Sequence, residues 1–125
     1  MTNKADSKTT ARDFVVFKSA CEEWLDYFSL REWRVFYEHG DSDSFAWCSS
    51  DHDGRCATLG LSTNWKHVQP TAVSVRRSAL HEVLHLLICD ISYLVNSRVC
   101  TDAILETAQH AIIRRLEHVI LSVNR

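Results

Sequence analysis

The segment from Val75 to Ile88 restricts the fold more than any other part of this sequence, because as a helix it would be apolar over most of its circumference. Its apolar residues recur at the three- and four-residue spacing of an α-helix. Either Thr71 or Ser74 can cap the helix at its N-terminus. We predict that this helix ends at about Cys89 and that it is the central buried helix of the domain.

Before this helix, the spacing of apolar residues predicts one helix and three strands. The first helix is amphipathic, with Asp13 as its N-cap, and residues 1–12 are expected to form a disordered tail. Runs rich in β-forming residues predict strands at Glu32–Tyr37, Phe45–Cys48 and Cys56–Leu61. The polar turns between these runs suggest two successive hairpins, and therefore a small three-stranded, antiparallel-rich sheet.

After the central helix, the sequence predicts one more long helix. Residues 62–70 are expected to be a connection, and Asp90–Cys100 is expected to be irregular. The final helix begins at Thr101 or Asp102 and ends at about Val123. The order of helix, three strands, helix and helix predicts a single α+β domain over residues 13–125, with its helices packed on one sheet.

Composition and charge disfavour several classes of function. The chain has 125 residues, enough for one domain, and its formal net charge of -2 gives no electrostatic attraction to nucleic acid or to an anionic membrane. Its apolar runs are too short to cross a bilayer. Its five cysteines form an odd set without a signal peptide, which is typical of reduced thiols. We therefore expect a cytoplasmic protein without a nucleic-acid or membrane partner.

The central helix contains the motif His81-Glu82-Val83-Leu84-His85. Four residues advance a helix by about 400°, so both imidazoles leave the same face about 6 Å apart, close enough to bind one zinc ion. Glu82 lies about 100° around the helix, where its carboxylate can accept a proton from a zinc-activated water. The alternative is that both histidines are buried and hydrogen-bonded to carbonyl groups, with Glu82 at the surface.

A catalytic zinc site needs a third protein ligand, which the same helix does not supply. Cys89 lies about 12 Å along the helix from His81, too far for convergence on one ion. Glu106, on the final helix, is the favoured ligand; the alternative is a solvated carboxylate near a helix N-terminus. His110, one turn later, either supports one of the zinc-binding histidines through a hydrogen bond or takes the place of Glu106 as ligand.

These residues resemble the gluzincin branch of the zinc metallopeptidases, in which an HExxH helix is followed by a helix that supplies a glutamate ligand. His81, Glu82, His85 and Glu106 match that pattern in type, order and approximate spacing. The resemblance implies a zincin-like fold, one zinc ion held by His81, His85 and Glu106, and Glu82 as the general base for hydrolysis of peptide bonds. It also implies that a peptide or protein substrate binds along an edge strand.

The sequence departs from related zinc peptidases in three respects. Ile88 and Ile91 stand where the extended metzincin motif has a glycine and a third histidine. SprT-like proteases use a histidine as third ligand, which only His110 or His118 could provide here. For the side chain that stabilises the oxyanion in these enzymes, the candidate here is Tyr93. The favoured interpretation of Tyr93, however, is an ordinary packed tyrosine. A zincin-like binding or regulatory module that does not cut peptides therefore stays the alternative function.

Overall fold

A computed structural model of the chain describes residues 5–123, and over this range it contains four helices and two small sheets. The helices are α1 (Ala11–Tyr27), α2 (Ala72–Leu87), α3 (Cys89–Val95) and α4 (Asp102–Val123). The strands are β1 (Ser7–Lys8), β2 (Arg34–Gly40), β3 (Ala46–Asp51), β4 (Cys56–Ser62) and β5 (Asn64–Lys66). The mixed α and β composition confirms the predicted α+β class.

The larger sheet has the strand order β2-β4-β3, which corrects the prediction of two successive hairpins. Strands β3 and β4 form an antiparallel hairpin, whereas β2 pairs with β4 in parallel and does not pair with β3. The polar turn after β2 indicated a hairpin because turn residues report only local geometry. Strand β4 takes the central position because it is the most apolar of the three, with Ala57, Leu59 and Leu61 all buried.

The chain is ordered earlier than the sequence suggested. Strand β1 pairs with β5 in a two-stranded antiparallel sheet, within segments predicted to be a tail and a connection. Thr10, not Asp13, is the N-cap of α1: its hydroxyl accepts from the Asp13 backbone N–H, and the Asp13 carboxylate accepts from the Thr10 N–H. Of the predicted tail, residues 1–4 lie outside the described residues.

Helix α2 is the central buried helix, as predicted. Thr71 caps it and exchanges hydrogen bonds with Ser74, so both candidates for the cap take part. Its apolar stripe packs against α1, where the thiol of Cys21 lies 4.0 Å from the Ala79 carbonyl oxygen, and its flank packs against β3. The buried residues of this stripe are Val75, Ala79, Val83, Leu86 and Leu87.

The segment predicted to be irregular begins with a short helix. Helix α2 ends at Leu87, with Ile88 as its C-cap, and α3 continues at an angle of 50° to it. Helix α4 begins within the predicted range but is only partly covered by the rest of the chain: of its residues Ile112 alone is buried among those with described side chains. Arg115 ties α4 to the turn before β2 through an ion pair of 3.1 Å with Glu32.

Among the described helices none is by itself long and apolar enough to cross a membrane. The required length and composition are reached only by α2 and α3 taken together across their bend.

Candidate metal centre

His81, Glu82 and His85 form the one group within residues 5–123 whose side chains could hold a metal ion. One ligand atom from each residue lies within 4.8 Å of the other two. The two imidazole rings have centroids 5.0 Å apart and are nearly perpendicular, at 77°. The sequence prediction that both histidines leave α2 on the same side is therefore confirmed, and the arrangement offers two nitrogen donors and one carboxylate oxygen.

The burial of these three side chains is the reverse of the alternative interpretation, in which both histidines are buried and Glu82 lies at the surface. Both histidines are exposed, whereas Glu82 is only 5% exposed. Glu82 follows Ala79 by three residues and precedes Leu86 by four, so it belongs to the buried stripe of α2. The histidines lie on the flank of that stripe and face the open side.

Glu82 is held in an environment that disfavours its charge. Its Oε2 atom is buried and has no hydrogen-bond partner within the described part of the chain. Burial raises the pKa of the Glu82 carboxyl above its usual range, and the neighbouring His85 and His81 oppose this rise. A buried carboxylate without a hydrogen-bond donor lowers the stability of a protein. The Glu82 carboxylate is such a group, and it lies next to two potential metal ligands.

A cleft of about 710 Å³ opens over the three residues. Helix α2 forms one wall and β3, with the residues just before it, forms the other. At one end of the cleft the hydroxyl of Ser50 on β3 lies 3.7 Å from the thiol of Cys89 on α3. Strand β3 is an edge strand, because β4 is its one partner among the described strands. The site thus combines a group of side chains that could hold a metal ion, an open cleft and a sheet edge.

The Cys48 thiol also lines this cleft. Burial raises its pKa to about 12, and the charges of Glu82 and Cys89 act in the same direction. Among the described residues, the group of side chains whose ligand atoms lie within 4.8 Å of one another does not include Cys48.

The structure does not bring Glu106 or His110 to the cluster. Glu106 lies near the beginning of α4 with its side chain 71% exposed, and its Oε1 atom pairs with His110 Nε2 at 3.5 Å. Neither residue lines the cleft. The predicted role of Glu106 as third ligand assumed that α4 returns along α2, but α4 packs mainly against α3.

Tyr93 is also absent from the lining of the cleft. Its ring stacks on His52, with centroids 3.9 Å apart, and His52 in turn lies 2.7 Å from an oxygen of Asp90. Tyr93 therefore has the packing role that the sequence favoured over a catalytic one.

The sequence analysis did not identify two parts of the site. The first is the identity of the strand opposite α2: the resemblance implied an edge strand, but no local pattern identifies it as β3. The second is Arg77, which lines the cleft one helical turn before His81. Its spacing of four residues from His81 is visible in the sequence and was the available signal.

Comparison of the chain with protein-family models, with curated proteins and with solved structures found no match to any of them. The interpretation of the site therefore depends on its own geometry.

Proposed function

We propose that this protein is a zinc-dependent peptidase with a zincin-like fold, in which His81 and His85 supply two of the three protein ligands that a catalytic zinc site uses and Glu82 is the general base. The observation that carries the proposal is the buried Glu82 carboxylate, which has no hydrogen-bond partner for Oε2 and lies beside two exposed imidazoles in an open cleft. Paired imidazole nitrogens at this spacing are suited to zinc. Zinc bound there would supply Lewis acidity, which polarises a carbonyl group and acidifies water.

The side chains of the protein would divide the remaining work. Glu82 accepts a proton from water as the water oxygen bonds to the carbonyl carbon, and it returns a proton to the nitrogen as the C–N bond breaks. One water molecule is consumed for each peptide bond, and no other reactant is needed. The free edge of β3 suits a substrate strand, because an extended peptide can form main-chain hydrogen bonds to it.

The decisive experiment is the substitution Glu82→Gln, which preserves shape but removes the base. We expect the variant to keep its zinc and its fold, and to lose hydrolysis of an unstructured peptide library by roughly 10²–10⁴-fold. Zinc content is measured by elemental analysis and the fold by circular dichroism. A Glu82→Gln variant that hydrolyses peptides at the wild-type rate would contradict the proposal.

A second candidate function is a metal-binding module that does not cut peptides. It is favoured by the observation that Glu82 itself is the third potential ligand of the cluster, while Glu106 lies elsewhere. A Glu82 carboxylate bound to the metal would not be available as a base. In that case Glu82→Gln should release the metal, and the wild type should bind zinc but hydrolyse nothing.

A further inference from the structure

The cleft carries an uneven distribution of charge. Its basic side chains, Arg77, His81 and His85, follow one another at intervals of four residues along α2. They therefore share one face of the helix. Among the residues that the structure describes, Glu82 is the one carboxylate that lines the cleft, and it is buried. The accessible part of this wall thus presents positive or metal-binding groups and no exposed carboxylate.

Arg77 differs from its neighbour Arg76 in its contacts. Arg76 reaches Glu23 on α1, with 3.6 Å between Nη2 and Oε2. Arg77 makes neither an ion pair nor a side-chain hydrogen bond to any residue between positions 5 and 123. Its guanidinium presents a planar set of donors that matches a carboxylate in a two-point hydrogen bond. The cleft therefore has an available anion-binding group on its wall.

The position of Arg77 along the cleft is defined by the contact at the other end. Ser50 meets Cys89 just after the end of α2, and Arg77 lies ten residues before Leu87, the last residue of α2, or about 15 Å along the helix. His81 is one turn, about 6 Å, from Arg77. An extended peptide advances about 3.3–3.6 Å per residue. A peptide that crosses the histidine pair would place a residue beside Arg77 within roughly three residues of the crossing point.

We propose that Arg77 is a specificity-determining residue that binds a carboxylate of the peptide in this cleft. The preferred ligand is a peptide with a carboxylate within about three residues of the segment over His81 and His85. That carboxylate is either an aspartate or glutamate side chain or the free C-terminus, and both present the same group to the guanidinium. This inference rests on the proposed function in one respect, namely that a peptide enters the cleft. Binding of a carboxylate by Arg77 does not require that the peptide is cleaved.

Peptide binding is the direct test, measured by fluorescence anisotropy with the full-length, zinc-loaded chain carrying Glu82→Gln. The probes are four labelled peptides of the same length: a glutamate peptide and its glutamine and lysine counterparts, all with amidated C-termini, and the glutamine peptide with a free C-terminus. We expect the glutamate peptide or the free-carboxyl peptide to bind about tenfold more tightly than the amidated glutamine peptide. Whichever of the two shows the advantage identifies the source of the carboxylate.

Variants of the two neighbouring arginines provide matched controls. Arg77→Gln should reduce the preference to about one, and Arg77→Glu should transfer it to the lysine peptide. Arg76→Gln should leave the tenfold preference unchanged. The preference should also shrink as sodium chloride is raised to about 0.5 M, because the arginine is exposed and salt screens its charge.

Three outcomes would overturn the inference: equal binding of all four peptides, a preference that survives in Arg77→Gln, or no peptide binding. A parallel hydrolysis assay with the wild type separates this failure from that of the proposed function. Zinc-dependent cleavage without a carboxylate preference would reject the role of Arg77 and retain the peptidase. An Arg77-dependent preference without cleavage would retain the role of Arg77 and reject the peptidase.

Discussion

Replacement of Glu82 with methionine should make the metal-free protein more stable. Glu82 is 5% exposed and its Oε2 atom has no hydrogen-bond partner in the described structure. A buried polar group without a partner costs about 1–3 kcal/mol. Methionine has a similar length and is flexible enough to fill the same space among the apolar residues of α2. The expected gain is therefore about 1–3 kcal/mol in the free energy of unfolding.

The effect is large enough to measure by thermal unfolding. For a chain of this length, 1 kcal/mol corresponds to roughly 3–5 °C in Tm, so Glu82→Met should raise Tm by between about 3 and 15 °C. The measurement must be made in chelator, because a metal bound only to the folded state would add its own stabilisation to the wild type. Circular dichroism at several scan rates would establish that the transition is reversible.

Glu106→Met is the matched control for this substitution. Glu106 is a helical glutamate with a side chain that is 71% exposed, so its replacement should change stability by less than about 0.5 kcal/mol. A fall in Tm for Glu82→Met in chelator would refute the reasoning, because it would mean that the carboxylate makes a favourable interaction in the metal-free protein. An equal rise in both variants would attribute the gain to helix propensity instead of burial.

Two further predictions concern the metal ligands and the packing of the cleft wall. His81→Ala should reduce bound metal from about one ion per chain towards none, whereas Glu106→Gln should retain it. Elemental analysis after gel filtration measures the metal content. Loss of metal from Glu106→Gln would restore Glu106 as a ligand. Gly60→Ala should lower stability by roughly 1–3 kcal/mol and alter tryptophan fluorescence, because a Cβ atom there would lie 2.0 Å from Cε2 of Trp47. Gly40→Ala, where a Cβ would meet nothing nearer than 3.7 Å, should be close to neutral in chemical denaturation, and equal losses in both variants would contradict the packing argument.

Local features of the sequence were sufficient to predict the three long helices and the histidine pair of the candidate metal site. The periodicity of apolar residues identified α2 and α4 nearly to their ends, and the polar residues before α2 identified its cap. The spacing of His81 and His85 was sufficient to bring their side chains together, because helical geometry alone relates residues four apart. Such features depend on neighbours along the chain and need no knowledge of the fold.

Other parts of the site depended on contacts between distant segments. The order of the strands was not predictable from turn residues, because these report only local geometry. Strand β4 is in the centre of the sheet because its side chains are buried between distant segments of the chain. The position of Glu106 depended on the direction of α4, which is determined by packing against α3 and by the ion pair of Arg115. The sequence alone determined that two imidazoles and a carboxylate share two turns of one helix. Only the tertiary structure decided that Glu82 is buried while the histidines face a cleft, because burial depends on how α1 and β3 cover that helix.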